Sequence, residues 1–248
     1  MSGQWLAAAL AVVLGMPLGA SAESDRADVA LVLAIDVSGS VDDNRFRLQR
    51  EGIASALESE ELAAAVSSGV NQTIEVAVVE WAEEQRLLVP WTVLRGRDDL
   101  EALATRLRSA SRSWVHTMTD PGAGIAAAER LFADQPLAAP RQVIDVSGDG
   151  RQNTGEVATA DARDVAISHG LTVNGLPIAS RDEPGIVDWY HSNVVGGPGA
   201  FLVVADTYDA FSAAFREKLR LEITGLAPSR KLTRASAGVD FDQIKPRP

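Results

Sequence analysis

Residues 29–43 read VALVLAIDVSGSVDD. From Val29 to Ile35 every side chain is apolar. An unbroken apolar run of this length suits a strand covered on both faces of a parallel sheet. The run stops at Asp36, and Ser38, Gly39 and Ser40 follow at once. Asp42 and Asp43 then place acids where a helix would start, which favours its positive end. Phe46, Ile53 and Leu57 recur at helical spacing. The stretch therefore reads as buried strand, polar turn, helix.

The same grammar repeats along the chain. Residues 74–79 and 85–91 predict two strands close enough to form a hairpin. Asp98 and Asp99 are expected to cap a helix carrying Leu100, Leu103 and Leu107 on one face. Asp120-Pro121 reads as an N-cap followed by proline at the first helical position. Residues 141–150, RQVIDVSGDG, form another strand that halts in a polar turn. A helix over 156–169, a strand over 171–178, a short helix over 186–191, a strand over 201–205 and a long helix over 208–223 complete the pattern. Strands alternating with helices predict an α/β fold: an open, mostly parallel, doubly wound sheet with one antiparallel hairpin strand.

The flanks read differently. Residues 6–18 are almost wholly apolar, and Ala20-Ser21-Ala22 is a small-residue cleavage site. This predicts an export signal over 1–22, cut after Ala22. Met1 to Trp5 carries no Lys or Arg, so the alternative is an uncleaved anchor with the same outward orientation. The pattern lapses from Gly225 onward, where Arg230, Lys231, Arg234, Lys245 and Arg247 outnumber Asp240 and Asp242. The expected organisation is a signal peptide (1–22), one domain (23–224) and a basic, poorly ordered tail (225–248). The 248 residues carry a formal charge of −11 and no cysteine. An acidic balance argues against nucleic-acid binding, which needs a basic footprint. An exported chain without cysteine forgoes disulfides, which a domain of this size can do.

In open α/β sheets, ligands bind beyond the carboxyl ends of the strands. The first strand delivers Asp36, Ser38 and Ser40 there, and the strand over 141–150 delivers Ser147 and Asp149. A third polar cluster, His116-Thr117-Met118-Thr119-Asp120, precedes a helix and is expected at the same rim. Two carboxylates with three or four hydroxyls are an all-oxygen set, the kind that hard divalent cations prefer. Neutral hydroxyls leave such an ion largely uncompensated, so it would attract a carboxylate from outside.

Blander readings exist for each piece. Asp36-Val37-Ser38-Gly39 is also ordinary turn chemistry. Asp145 lies inside its strand and is expected to be a structural carboxylate bonding backbone groups. His116, His169 and His191 make no metal-ligand spacing. Ser147 lacks the flanking glycines of a nucleophile elbow, and no phosphate-binding G-x-x-x-x-G-K-[ST] loop occurs. A metal-dependent hydrolase would need a positioned base, for which Asp149 is the best candidate.

DVSGS at 36–40 matches the D-x-S-x-S signature of von Willebrand factor A (VWA) domains. The preceding strand, the Thr-Met-Thr cluster and the later SGDG follow in the order that family uses, and the resemblance covers residues 28–223. VIDVSGDG (143–150), VNGLPI (173–178) and GPGAFLVVAD (197–206) resemble more narrowly a bacterial group of exported VWA proteins, DUF1194. The resemblance implies a metal-ion-dependent adhesion site. Ser38 and Ser40 would coordinate the metal directly, Asp36 and Asp149 mostly through water, and Thr117 would supply the third hydroxyl, with Thr119 as the alternative. Trp114-Val115-His116 stand where many relatives have glycines. The implied ion is Mg²⁺, with Mn²⁺ or Ca²⁺ as alternatives. The implied function is capture of an Asp or Glu carboxylate on a partner protein, in the periplasm or outside a bacterial cell. Catalysis, nucleic acid and membrane are not part of it, save through an uncleaved anchor. The resemblance also implies that the last helix shifts when the ligand is captured.

Overall fold

The computed structural model describes residues 25–114, 117–180, 182–226 and 232–235. The proposed signal segment lies outside them. Seven strands, β1 (Val29–Asp36), β2 (Ile74–Trp81), β3 (Gln85–Leu94), β4 (Gln142–Gly148), β5 (Thr172–Pro177), β6 (Leu202–Ala205) and β7 (Leu232–Ala235), form one sheet. Their order is β3-β2-β1-β4-β5-β6-β7. Only β2 and β3 pair antiparallel; the other neighbours are parallel. The expected fold and its hairpin are both observed.

The helices are α1 (Asp43–Leu57), α2 (Glu60–Ser67), α3 (Arg97–Ser109), α4 (Pro121–Leu131), α5 (Thr159–Ser168), α6 (Ile186–Asn193) and α7 (Phe211–Thr224). Alternate β1 side chains feed two cores. Leu31, Leu33 and Ile35 pack with residues of α1, α3 and α7, including Ile53, Leu103, Phe211 and Phe215. Val32 and Ala34 pack with Ile125 of α4, Ala166 of α5 and Tyr190 of α6. This two-sided burial is why the run shows no apolar–polar alternation.

Several boundaries differ from the sequence expectation. Helix α2 was not anticipated. Ser59 starts it by accepting from the Leu62 amide, and its Ala-rich face gives a weak periodic signal. Asp98 and Asp99 lie in the first turn of α3, and Gly96 is its N-cap; Asp99 instead accepts from the Arg95 amide at 2.8 Å. Helix α5 starts at Thr159, three residues after Glu156, because Gln152 accepts from both the Thr159 amide and hydroxyl and fixes the chain as a loop up to there. Helix α7 starts at Phe211 after a turn at Tyr208–Ala210. Within the expected tail, Leu232–Ala235 forms β7 against β6. Asp120 caps α4 as expected, accepting from the Ala123 amide at 3.0 Å, with Pro121 at the first helical position.

Asp145 needs a larger correction. It bonds no backbone group; Lys218 of α7 lies 2.5 Å away, both residues being fully buried. Lys218 also contacts Glu222 one turn on, at 2.6 Å. Asn174 of β5 donates to Glu222 and accepts from the Phe201 amide, each at 2.9 Å. Burial, and then the Asp145 charge, push the Glu222 carboxyl up to about 7.

Candidate metal site at the strand ends

Strands β1 and β4 run parallel with Ile35 beside Ser147, so their carboxyl ends open side by side. That register brings Asp36 and Asp149 together. Both are buried. Asp36 Oδ1 accepts from the Ser38 amide at 2.8 Å, and Oδ2 from the Asp149 amide at 3.4 Å. Ser38 and Ser40 hydroxyls stand 3.2 Å apart. Ser40 donates to Asp149 Oδ1 at 2.5 Å. Gly148 makes this approach possible: a Cβ there would sit 2.7 Å from both Asp36 Oδ2 and the Tyr190 hydroxyl.

The third loop joins through its backbone. The Gly39 amide donates to the Thr117 carbonyl at 2.9 Å. Thr117 Oγ1 is buried and has no hydrogen-bond partner among the described residues. Thr119 exchanges hydrogen bonds with Asn153, its amide to Oδ1 at 2.8 Å and its carbonyl from the Asn153 amide at 3.0 Å. A Cβ on Gly150 would lie 3.4 Å from Thr119 Oγ1 and 3.8 Å from Ser40 Oγ, so Thr119 also borders the cluster. The structure thus gathers Asp36, Ser38, Ser40, Asp149 and both threonines at one rim. Asp120 is turned aside, against the backbone of Gly155, whose φ of +91° and lack of a Cβ give the carboxylate its room.

Two buried carboxylates this close disfavour joint ionisation. Burial first, and the Asp149 charge second, push the Asp36 carboxyl up to about 7, against the pull of its Ser38 and Asp149 hydrogen bonds. Burial and the neighbouring acids also raise the Tyr190 phenol, whose hydroxyl lacks a partner among the described residues.

Four contributors escaped the sequence reading. Tyr208 donates to Asp149 Oδ2 at 2.8 Å. Arg45 donates through Nη1 to the same Oδ2 at 3.1 Å and to the Ser40 carbonyl at 2.8 Å. Arg112 donates to the carbonyls of Val37 and Ser38 at 3.0 and 2.9 Å, bracing the loop from behind. Tyr190 closes the floor. Arg45 lies one turn into the helix that follows the serine turn, and Tyr208 just past the carboxyl end of β6; those positions were the available signal. Arg112 and Tyr190 come from regions with no polar motif.

The donor chemistry suits a hard cation. Among the described residues no group of three or more His, Cys, Asp or Glu could hold a metal ion, so an ion here would depend on hydroxyls. The unsatisfied Thr117 Oγ1, on a loop hydrogen-bonded to Gly39 between the two serines, fits that requirement.

The family described as "Protein of unknown function (DUF1194)" matches residues 26–227. The chain belongs to this family. No curated protein matches it. Among solved structures, it is similar to proximal thread matrix protein 1 from the mussel byssus, at TM-score 0.57 and 14% identity, over 80% of this chain and 47% of that one. The PilB minor pilin from Streptococcus sanguinis is similar at TM-score 0.58 and 14% identity, over 81% of this chain and 62% of that one. A von Willebrand factor type A protein from Catenulispora acidiphila is similar at TM-score 0.51 and 18% identity, over 79% and 43%. The chain spans less than two thirds of each of these structures. At such identities the likeness shows the fold, which is VWA-like. The mussel protein is also known with a "zinc occupied MIDAS motif". No helix among the described residues is long and apolar enough to cross a membrane.

Proposed function

We propose that this DUF1194 chain is an exported protein-binding module that captures an acidic residue of a partner through a divalent ion, Mg²⁺ first among candidates. Asp36, Ser38, Ser40, Thr117 and Asp149 would hold the ion. The observation that carries the reading is the buried Thr117 Oγ1, unpartnered among the described residues, on a loop whose carbonyl bonds the Gly39 amide between the two serines. Thr117 is favoured over Thr119 on that ground.

When bound, the ion supplies a positive corner for a carboxylate from outside. The chain's own residues prepare that corner. The Ser38 amide and the Asp149 amide fix both oxygens of Asp36. Arg112 fixes the carbonyl side of the serine turn, so the two hydroxyls keep their separation. Asp149 accepts from Ser40, Tyr208 and Arg45 together. A carboxylate so engaged is poorly placed to take a proton from water, which favours binding over the hydrolase alternative. The mussel matrix protein and the pilin support a role in protein contacts by fold analogy alone.

The test is Mg²⁺ titration by calorimetry, followed by retention of the protein on an immobilised glutamate-containing peptide in Mg²⁺ or EDTA. Metal uptake, and retention that needs both the ion and the serines, are expected. Retention indifferent to EDTA and to an S38A/S40A double variant would overturn the reading.

A further inference from the structure

The site has a cation of its own. Asp36 and Asp149 contribute two carboxylates, and one guanidinium, from Arg45, is fastened to the second. Arg45 Nη1 bridges Asp149 Oδ2 and the Ser40 carbonyl, while Nη2 donates to Asp182 Oδ2 at 3.0 Å. Its guanidinium also lies over the Tyr208 ring, 5.3 Å from the centroid. Four partners from four segments hold one side chain, three-quarters of which is shielded from solvent. A long arginine side chain gives up rotamer freedom to be held in this way, and the four contacts must offset that cost.

We infer that Arg45 is a resident counter-cation of the strand-end site, competing with the divalent ion for Asp149 and lowering the affinity for metal. This rests on the metal reading above. The physics is direct. Asp149 is one of only two anionic groups in the set, and its Oδ2 is already neutralised. A divalent ion drawn to Asp149 meets a full positive charge at hydrogen-bond distance from the same carboxylate, in a partly buried place where repulsion is weakly screened. Metal-free protein gains from the arginine, because the carboxylate pair is compensated. Metal-loaded protein does not. The ion and Arg45 therefore oppose each other, and the domain fills only where the metal is plentiful or a ligand carboxylate adds its own charge.

The neighbours divide the work. Tyr208 is a neutral donor to the same oxygen and carries no charge to compete. Asp182, three-quarters exposed, offers Arg45 a second anchor through its other terminal nitrogen, Nη2. An arginine released from Asp149 keeps that anchor, so the exchange needs no large rearrangement.

The experiment uses metal-stripped full-length protein and R45Q, with R45K as a charge-keeping control and circular dichroism to confirm folding. Mg²⁺ and Mn²⁺ affinities are read by calorimetry, and unfolding midpoints are read in EDTA and in saturating Mg²⁺. R45Q is expected to bind either ion at least about tenfold more tightly than wild type. It should also melt lower than wild type in EDTA and regain that difference in Mg²⁺, while R45K stays close to wild type. Wild-type binding that R45Q leaves unchanged or weakens would overturn the inference alone. If neither protein takes up metal at millimolar concentration, the metal reading fails and the inference falls with it.

Discussion

Strand β4 carries Asp145 and leads directly into Asp149, and each of these aspartates joins a second acid and one base. At the strand's end, Asp149 sits with Asp36 and Arg45. In its middle, Asp145 sits with Glu222 and Lys218. The charge count is the same. The surroundings are not. Lys218 and Asp145 are sealed between sheet and helix, with Asn174 as the neighbouring polar donor. Around Asp149 stand the Ser40 and Tyr208 hydroxyls, and its base is partly exposed. On the proposed reading, the first pair is a site because its cation can be exchanged, and the second is a brace because its cation cannot.

The largest effect should come from breaking the brace. Lys218→Met leaves two buried carboxylates without their base and should cost about 3–5 kcal/mol in urea unfolding. Adding Asp145→Asn and Glu222→Gln should restore most of it. An isolated Lys218→Met that unfolds like wild type would erase the distinction between the two clusters.

Next comes the exchangeable cluster. Ser38→Ala with Ser40→Ala should leave the unfolding midpoint nearly unchanged, yet weaken Mg²⁺ binding by more than the ~10–100-fold typical of an outer-shell change. Calorimetry against circular dichroism separates the two readouts.

A smaller effect is set by pH. Glu222 and Asp36 both hold their protons more tightly in the folded state, each with a pKa near 7. Between the ordinary carboxyl range and 7, the folded state binds protons that the unfolded chain has released. Stability of the metal-free protein should therefore fall as pH rises through that window, by on the order of 1–3 kcal/mol, and level off above it. Urea midpoints at pH 5 and pH 8 would show it. Glu222→Gln should remove one part, and saturating Mg²⁺ the part belonging to Asp36.

Smallest is the outward surface. Arg108 bridges Glu51 at 2.9 Å and Glu58 at 2.7 Å in solvent, and Arg108→Ala should change stability by less than about 1 kcal/mol. A loss rivalling that of Lys218→Met would mean burial is not what separates these clusters.

The sequence made the strand-end cluster legible and hid the brace. Asp36, Ser38, Ser40 and Asp149 stand at abrupt ends of apolar runs, where a polar residue has no packing reason to be. Asp145 sits within such a run, and its partner lies 73 positions away on a helix whose pattern offers no hint of an inward lysine. Arg45 and Tyr208 were hidden because each looks like an ordinary residue beyond a cap or a strand. Strands β1, β4, β5 and β6 came through well because two-sided burial writes nearly continuous apolar runs, whereas β7 fell in what reads as a tail. Helix α2 and the start of α5 did not, since side-chain-to-backbone bonds from Ser59 and Gln152 set them, not periodicity.

Helix α7 is fastened at its foot. Arg141 donates to the carbonyls of Glu222 and Ile223, and Lys218 and Glu222 reach β4 and β5 in the same stretch. Its head follows directly from Tyr208, which touches Asp149. A rod bolted at one end can tilt but cannot slide. Whatever pull the rim exerts on Tyr208 must be taken up as movement of the first turn about that fixed foot, and hydrogen exchange should find the first turn responsive and the last one still.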